Sequence, residues 1–146
     1  MQPSAKTKVA IKVIIELAMN TSEEMVTAKA IEKRQCVPGN YLRQILAMLK
    51  QTGIITSKRG IFGGYMLTKP PSEITLLSVL DITQPALVTE AFQVENKDSS
   101  DQQNVLKEIW SKLNLQIRDQ LQSITIEDIC KHVRSKRGNL VRNYVI

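Results

Sequence analysis

Asn40, Arg43, Gln44, Ala47 and Lys50 share one side of a helical repeat in PGNYLRQILAMLKQTG, and a little downstream Lys58 and Arg59 lead into a glycine-rich tip in SKRGIFGGY. Amides, guanidinium groups and amines set out in this way hydrogen-bond to nucleic acid and neutralise its phosphates. The chemistry they offer is recognition of DNA. Bond-making chemistry has far less to build on. Cys36 and Cys130 have neither CxxC spacing nor neighbouring histidines, so a zinc site and a disulfide framework are both unsupported. His132 is the single histidine and stands outside any nucleophile or acid–base motif. Paired carboxylates, phosphate loops and metal clusters cannot be found, so neither an enzyme nor a cofactor is expected.

The elements that must hold the reading residues follow from spacing. Tyr41, Leu42, Ile45, Leu46 and Leu49 form the apolar stripe of the same helix, which packs and turns the polar side outward. Pro38 suits its first turn and Gly53 the position just past its end. Two strands, Ile54 to Ser57 and Tyr65 to Thr68, are expected around the tip formed by Lys58 to Gly64. Upstream, Thr27 caps a short helix over Ala28 to Arg34, and Gln35 to Val37 turn into the reading helix. The pattern is a helix-turn-helix followed by a wing. Cys36 lies in the turn, where it is either a redox switch or a small, partly buried residue.

A first helix from about Ser4 to Asn20 is apolar nearly all round, which calls for cover from its own domain and from a second subunit. Lys6 and Lys8 at its amino end can meet phosphates. Beyond Pro70 and Pro71, Thr75 starts a helix carrying Leu76, Leu77, Val79, Leu80 and Ile82. Residues 84–103 read as a flexible loop. A longer helix then runs to Ser123 with Leu106, Ile109, Trp110, Leu113, Ile117 and Leu121 at steps of three and four. Such a stripe either docks on the reading domain or pairs with a second copy, and pairing is the expectation. Thr125 caps a short last helix, Ile126 to His132, with Asp128 in the capping-box region. A polar, basic tail follows.

The expected fold is therefore mainly α with a small β-hairpin: a winged helix-turn-helix domain (1–83), a flexible loop (84–103), a dimerisation helix with a short terminal helix (104–134) and a basic C-terminal tail (135–146). At 146 residues with 42% hydrophobic content the chain can bury one core and an appendage. No apolar run reaches membrane-span length and Met1 opens no signal-peptide pattern, so a cytoplasmic location and no membrane partner are expected. The net charge of +6 is uneven. Residues 1–75 carry 11 Lys and Arg against 5 Asp and Glu, residues 76–130 carry 4 against 9, and residues 131–146 carry 5 against none. The half holding the reading helix is basic, as phosphate neutralisation requires.

The order AIEKRQ, YLRQIL, TGIITSKRGIFGGYML, EITLLSVL, EIW and SITIEDI resembles the Rrf-two (BadM-type) transcriptional regulators over roughly residues 4 to 132. The resemblance implies a homodimer joined through the long penultimate helix and bound to a partly palindromic operator in double-stranded DNA; the reading helix, the wing and the charge asymmetry together make a repressor the expected function. Carried over by position, Asn40, Arg43 and Gln44 face bases, with Tyr41 and Lys6 on phosphates and Lys8, Thr27 and Lys58 in the same surface. Arg59 enters a minor groove, and Gly60, Gly63 and Gly64 shape the tip. Arg is suited to guanine O6 and N7, Gln to adenine, and a narrow minor groove to a cation.

Two departures stand out. Ile61 and Phe62 replace the Pro-Gly often found at the wing tip, and residues 83–103 contain no Cys or His to hold the iron–sulfur cluster of sensing members. The chain is thus nearest the cluster-lacking, CymR-like branch, which implies cysteine or sulfur metabolism. In that branch the ending Tyr144, Val145, Ile146 resembles the tail that enters O-acetylserine sulfhydrylase. It is either such a docking segment, a form backbone amides can capture, or an ordinary chain end.

Overall fold

The computed structural model describes residues 2–22, 24–89 and 100–144, with side chains at all of these except Thr89 and residues 140–144. Helix α1 (Ala5–Met19) begins where the Ser4 hydroxyl accepts the Thr7 N–H, and it buries Thr7, Ala10, Val13, Ile14 and Leu17. Helices α2 (Ala28–Gln35) and α3 (Gly39–Gln51) follow, then the antiparallel strands β1 (Ile55–Lys58) and β2 (Gly64–Leu67). Past a turn of 3-10 helix at Pro71–Glu73 come α4 (Leu76–Thr83), α5 (Pro85–Thr89), α6 (Asp101–Ser123) and α7 (Ile126–Tyr144). The architecture is mainly helical with a small hairpin and long C-terminal helices.

The cap expected at Thr27 forms, with its hydroxyl accepting the Ala30 N–H, and Thr75 caps the helix it starts by accepting the Ser78 N–H, each at 3.2 Å. Pro38 sits one position earlier than expected, as the N-cap of α3. The strands are shifted by one residue from Ile54–Ser57 and Tyr65–Thr68, because the ladder registers Ile55 with Leu67 and Lys58 with Gly64. Ile54 and Thr68 still join just outside it, through a Thr68 N–H to Ile54 carbonyl bond of 3.0 Å. A lone bridge from Val26 to Tyr65 ties β2 to the segment before α2.

α1 is the central rod of the core. It packs on α2, α3, α4, α7 and β2, so its own chain supplies part of the expected cover, while Val9, Ile11, Ile15, Ala18 and Met19 stay only partly buried. Ile126 and Cys130 carry α7 into this core. The two C-terminal helices are held in place by reciprocal backbone bonds of 2.8 Å, Leu76 N–H to the Ile124 carbonyl and Ile126 N–H to the Ile74 carbonyl. A second, smaller cluster joins Leu77, Leu80 and Val88 with Leu121 packed against it.

Two expectations need correction. The loop expected over 84–103 begins as a helix, since Pro85 starts α5 and Val88 is buried; residues 90–99 lie outside the described residues. The last helix does not stop at His132, and the tail expected from 135 is helical as far as Tyr144. The reason is local: no proline interrupts 126–144, lysines and arginines are good helix formers, and the lone Gly138 is tolerated. The start is secured by Asp128, whose carboxylate accepts the Thr125 O–H at 2.7 Å and its N–H at 3.0 Å. These bonds hold the carboxyl below its ordinary 3.8. Because the folded value is the lower one, the cap is complete above the ordinary value and fades as pH falls through the folded one.

One buried polar chain locks α1 to α4. Thr83 donates to the Val79 carbonyl at 2.8 Å, so Thr7 must donate to Thr83 at 2.9 Å, and Ser4 in turn to Thr7 at 3.0 Å. Gln84 Oε1 completes it by accepting the Ser4 N–H at 2.8 Å. Thr7 is fully buried, and removing its hydroxyl leaves Ser4 and Thr83 short of a partner. Thr7→Val should therefore cost about 1–3 kcal/mol in chemical denaturation, and Thr7→Ser should recover most of the loss. Equal stability of Thr7→Val and the parent protein would show that the chain of hydroxyls contributes nothing.

Candidate nucleic-acid interface

The apolar stripe of α3 decides what the rest of that helix can do. Leu42, Ile45, Leu46 and Leu49 are buried against the core, which leaves Asn40, Arg43, Gln44, Ala47 and Lys50 exposed on the other side. Tyr41 lies between the two, half-buried against the core. Each buried leucine or isoleucine contributes roughly 1.5–3 kcal/mol, whereas the outward residues contribute little to stability. The outward face is thus free to be selected for binding. At the amino end of α1, Lys6 and Lys8 are also exposed.

Among the described residues, none of Lys6, Lys8, Arg43, Lys50, Lys58 and Arg59 takes part in an ion pair. Arg34 behaves differently. It meets Glu16 at 2.6 Å while Gln35 Nε2 donates to the other oxygen of Glu16 at 2.9 Å, so the end of α2 is clamped to α1. Glu32 lays its carboxylate over Gly39 at the start of α3, where a Cβ would come within 2.9 Å of it. Sequence spacing gave no sign of either contact, because both join separate elements.

In the wing, Lys58 and Arg59 are exposed and the turn closes through a 3.0 Å bond from the Gly63 N–H to the Gly60 carbonyl. Two glycines are required by space. A Cβ on Gly63 would lie 2.2 Å from the Lys58 carbonyl oxygen, and one on Gly64, at φ +149°, 2.6 Å from that of Val26. Gly60, at φ +116°, turns the tip. Thr27 is exposed, its hydroxyl accepting at the cap of α2, and it lines with Lys58 and Phe62 a groove of about 670 Å³ beneath the wing. All the residues singled out for DNA contact therefore lie on α1, α2, α3 or the wing of one subunit, most of them exposed.

Along α6 no residue is buried. Leu106, Ile109 and Leu113 are exposed, and Trp110 and Ile117 are half-buried. Leu121, expected in the same stripe, turns to its own chain and packs on Leu77, Leu80 and Val88. Val105 and Leu115 are exposed as well and were not in the expected set. Of the proposed tail, Val145 and Ile146 lie outside the described residues, as does the Tyr144 side chain.

The cysteines differ in setting. Cys36 is exposed in the helix-turn-helix, in left-handed backbone geometry at φ 51°, whereas Cys130 is buried in α7 and burial pushes its thiol up. His132 is exposed, its Nδ1 3.3 Å from the Asp128 carbonyl oxygen. Among the described residues no three His, Cys, Asp or Glu side chains gather closely enough to hold a metal, and no helix is long and apolar enough to cross a membrane.

Comparison with known proteins places this arrangement. The Rrf2 family model, described as an iron-dependent transcriptional regulator, matches residues 3–132. A protein named as an HTH-type transcriptional regulator in Synechocystis sp. is 32% identical over 136 residues, spanning 92% of this chain and 91% of the relative. The fold is similar to CymR, the global cysteine regulator of B. subtilis, with a TM-score of 0.75 and 25% identity over 90% of this chain and 98% of that one. It is also similar to IscR of T. potens, with a TM-score of 0.71 and 28% identity over 91% and 88% of the two chains.

The wing offers a direct structural test. Gly63→Ala should distort the tip at a cost of about 1–3 kcal/mol, because the opposing atom is backbone and cannot swing away. The expected signature is weakened DNA binding with helical circular dichroism unchanged. Full binding by Gly63→Ala would mean that the tip geometry is irrelevant to the interface.

Proposed function

On the premise that this chain belongs to the Rrf2 family of transcriptional regulators, we propose that it acts as a homodimer that binds a partly palindromic operator and represses the genes beside it. The observation that carries the reading is the outward face of Asn40, Arg43 and Gln44, set beside a wing whose Lys58 and Arg59 form no ion pair among the described residues. In this reading α3 lies in the major groove, where Arg43 grips guanine O6 and N7 and Gln44 addresses adenine. Tyr41, Lys6 and Lys8 hold phosphates, Thr27 borders the contact, and Arg59 enters the minor groove, whose negative potential attracts a cation.

Dimerisation through α6 is supported by a 23-residue helix that its own subunit leaves without a single buried side chain. Leu106, Ile109 and Leu113 with the half-buried Trp110 and Ile117 give it the apolar content of a helix-on-helix seam. Two-fold pairing repeats the reading face and wing along successive grooves.

Cysteine or sulfur metabolism is the regulon we propose, supported by the likeness to CymR. The family description names iron, but the described residues do not fit an iron site: Cys36 and Cys130 stand on separate elements, one exposed and one buried. Docking of Tyr144, Val145 and Ile146 into O-acetylserine sulfhydrylase is the second reading; α7 carries the chain as helix to Tyr144, and Val145 and Ile146 lie outside the described residues.

Selection of duplexes from a random pool tests the whole reading, and two equivalent half-sites are expected. If the dimer neutralises roughly 6–10 phosphates, affinity should fall about 10³- to 10⁵-fold between 50 and 200 mM salt, and a flat response would count against it. Arg43→Ala should cost roughly 1–3 kcal/mol and relax selection at one base pair, whereas Lys6→Ala should weaken all sequences alike. In sedimentation, Ile109→Glu combined with Leu113→Glu should give a folded monomer that binds the operator poorly. A double variant that remains dimeric would remove α6 as the seam.

A further inference from the structure

Ile61 and Phe62 are the most exposed large hydrophobic residues described, at 96% and 84%. They are not on a slack segment. The Lys58–Gly64 pair closes the ladder, the Gly63 N–H to Gly60 carbonyl bond closes the turn, and the Val26–Tyr65 bridge anchors β2 to the body. The tip is thus a stiff prong ending in an aromatic ring and a branched aliphatic side chain, with Lys58 and Arg59 just behind them. Met66, also exposed, extends the apolar surface along the groove beneath the wing.

Charge selects the occupant of this surface. A second copy of the wing would set Lys58 and Arg59 against themselves, whereas a duplex offers phosphates to the cations and apolar sugar faces and base steps to the tip. Minor-groove proteins use Phe, Ile, Leu or Met in this way, prising one base step apart and kinking the duplex.

We propose that the wing tip is an apolar wedge: Phe62, backed by Ile61, enters the minor groove and stacks against an opened base step while Arg59 holds the groove beside it. The proposal rests on the DNA-binding reading and adds deformation of the operator to it. The opened step should be a flexible one, TA or CA/TG, since such steps unstack most readily, and the protein would select for it without hydrogen-bonding to its bases.

The test uses the full-length protein on an operator recovered by selection, with 2-aminopurine at the step facing the wing and dyes at the two ends. The parent protein should raise the 2-aminopurine fluorescence and shorten the end-to-end distance. Ile61→Ala combined with Phe62→Ala should lose both signals and bind roughly 5- to 100-fold more weakly, with the salt slope unchanged. Phe62→Trp should keep both signals, and Arg59→Ala, which removes one cation from each subunit of the dimer, should lower the salt slope by about two. Wild-type affinity, bend and fluorescence in the double alanine variant would overturn the wedge while leaving operator binding intact. A parent protein that enriches no duplex from the pool would instead overturn the underlying reading. The side chains are solvent-exposed, so an unchanged thermal melt confirms that the variant is folded.

Discussion

Everything that this surface can do depends on how four side chains of α3 are gripped from behind. Leu42, Ile45, Leu46 and Leu49 are closed in by α1 and the elements around it, and their burial fixes the rotation of α3 about its own axis. A turn of the helix by one residue, about 100°, would sink the reading face and expose the stripe, at a cost of several kcal/mol. The hydrophobic effect thus sets the aim of polar groups that themselves take no part in the core. The Glu16 clamp on Arg34 and Gln35 adds a polar restraint on α2, the neighbour against which α3 turns.

The C-terminal helices serve a different end with the same economy. α7 is built into the reading half by Ile126 and Cys130, and the paired bonds between residues 74–76 and 124–126 fix where α6 ends. α6 can therefore expose most of its apolar surface and still keep a defined direction relative to α3. A seam that joins two copies along it would transmit that direction to both reading faces.

Much of this was legible in the chain because the signals were local. The α3 stripe follows from residues three and four apart, the caps from Thr27, Thr75 and Thr125, and the wing from glycines beside cations. The strand bounds were off by one, with the pairing of Ser57 and Tyr65 unchanged, because Ile54 and Thr68 are bonded to each other just outside the ladder and look like strand residues by type. Contacts between distant residues were not legible: nothing near Thr7 announces Thr83, nor near Glu16 its partners on α2. The extent of α7 was missed for a physical reason too. Residues 134–139 are polar, basic or glycine, which hid the continuity of the helix between Val133 and Leu140.

The connection between α5 and α6 carries one further implication. On one side Val88 is seated with Leu77 and Leu80; on the other, Leu121 and the crossing near Thr125 pin α6 independently. Both flanks are thus seated by contacts of their own, and neither seat depends on what lies between them. The bearing of α6 on the reading half is therefore an inheritance from the core, set before any second copy arrives.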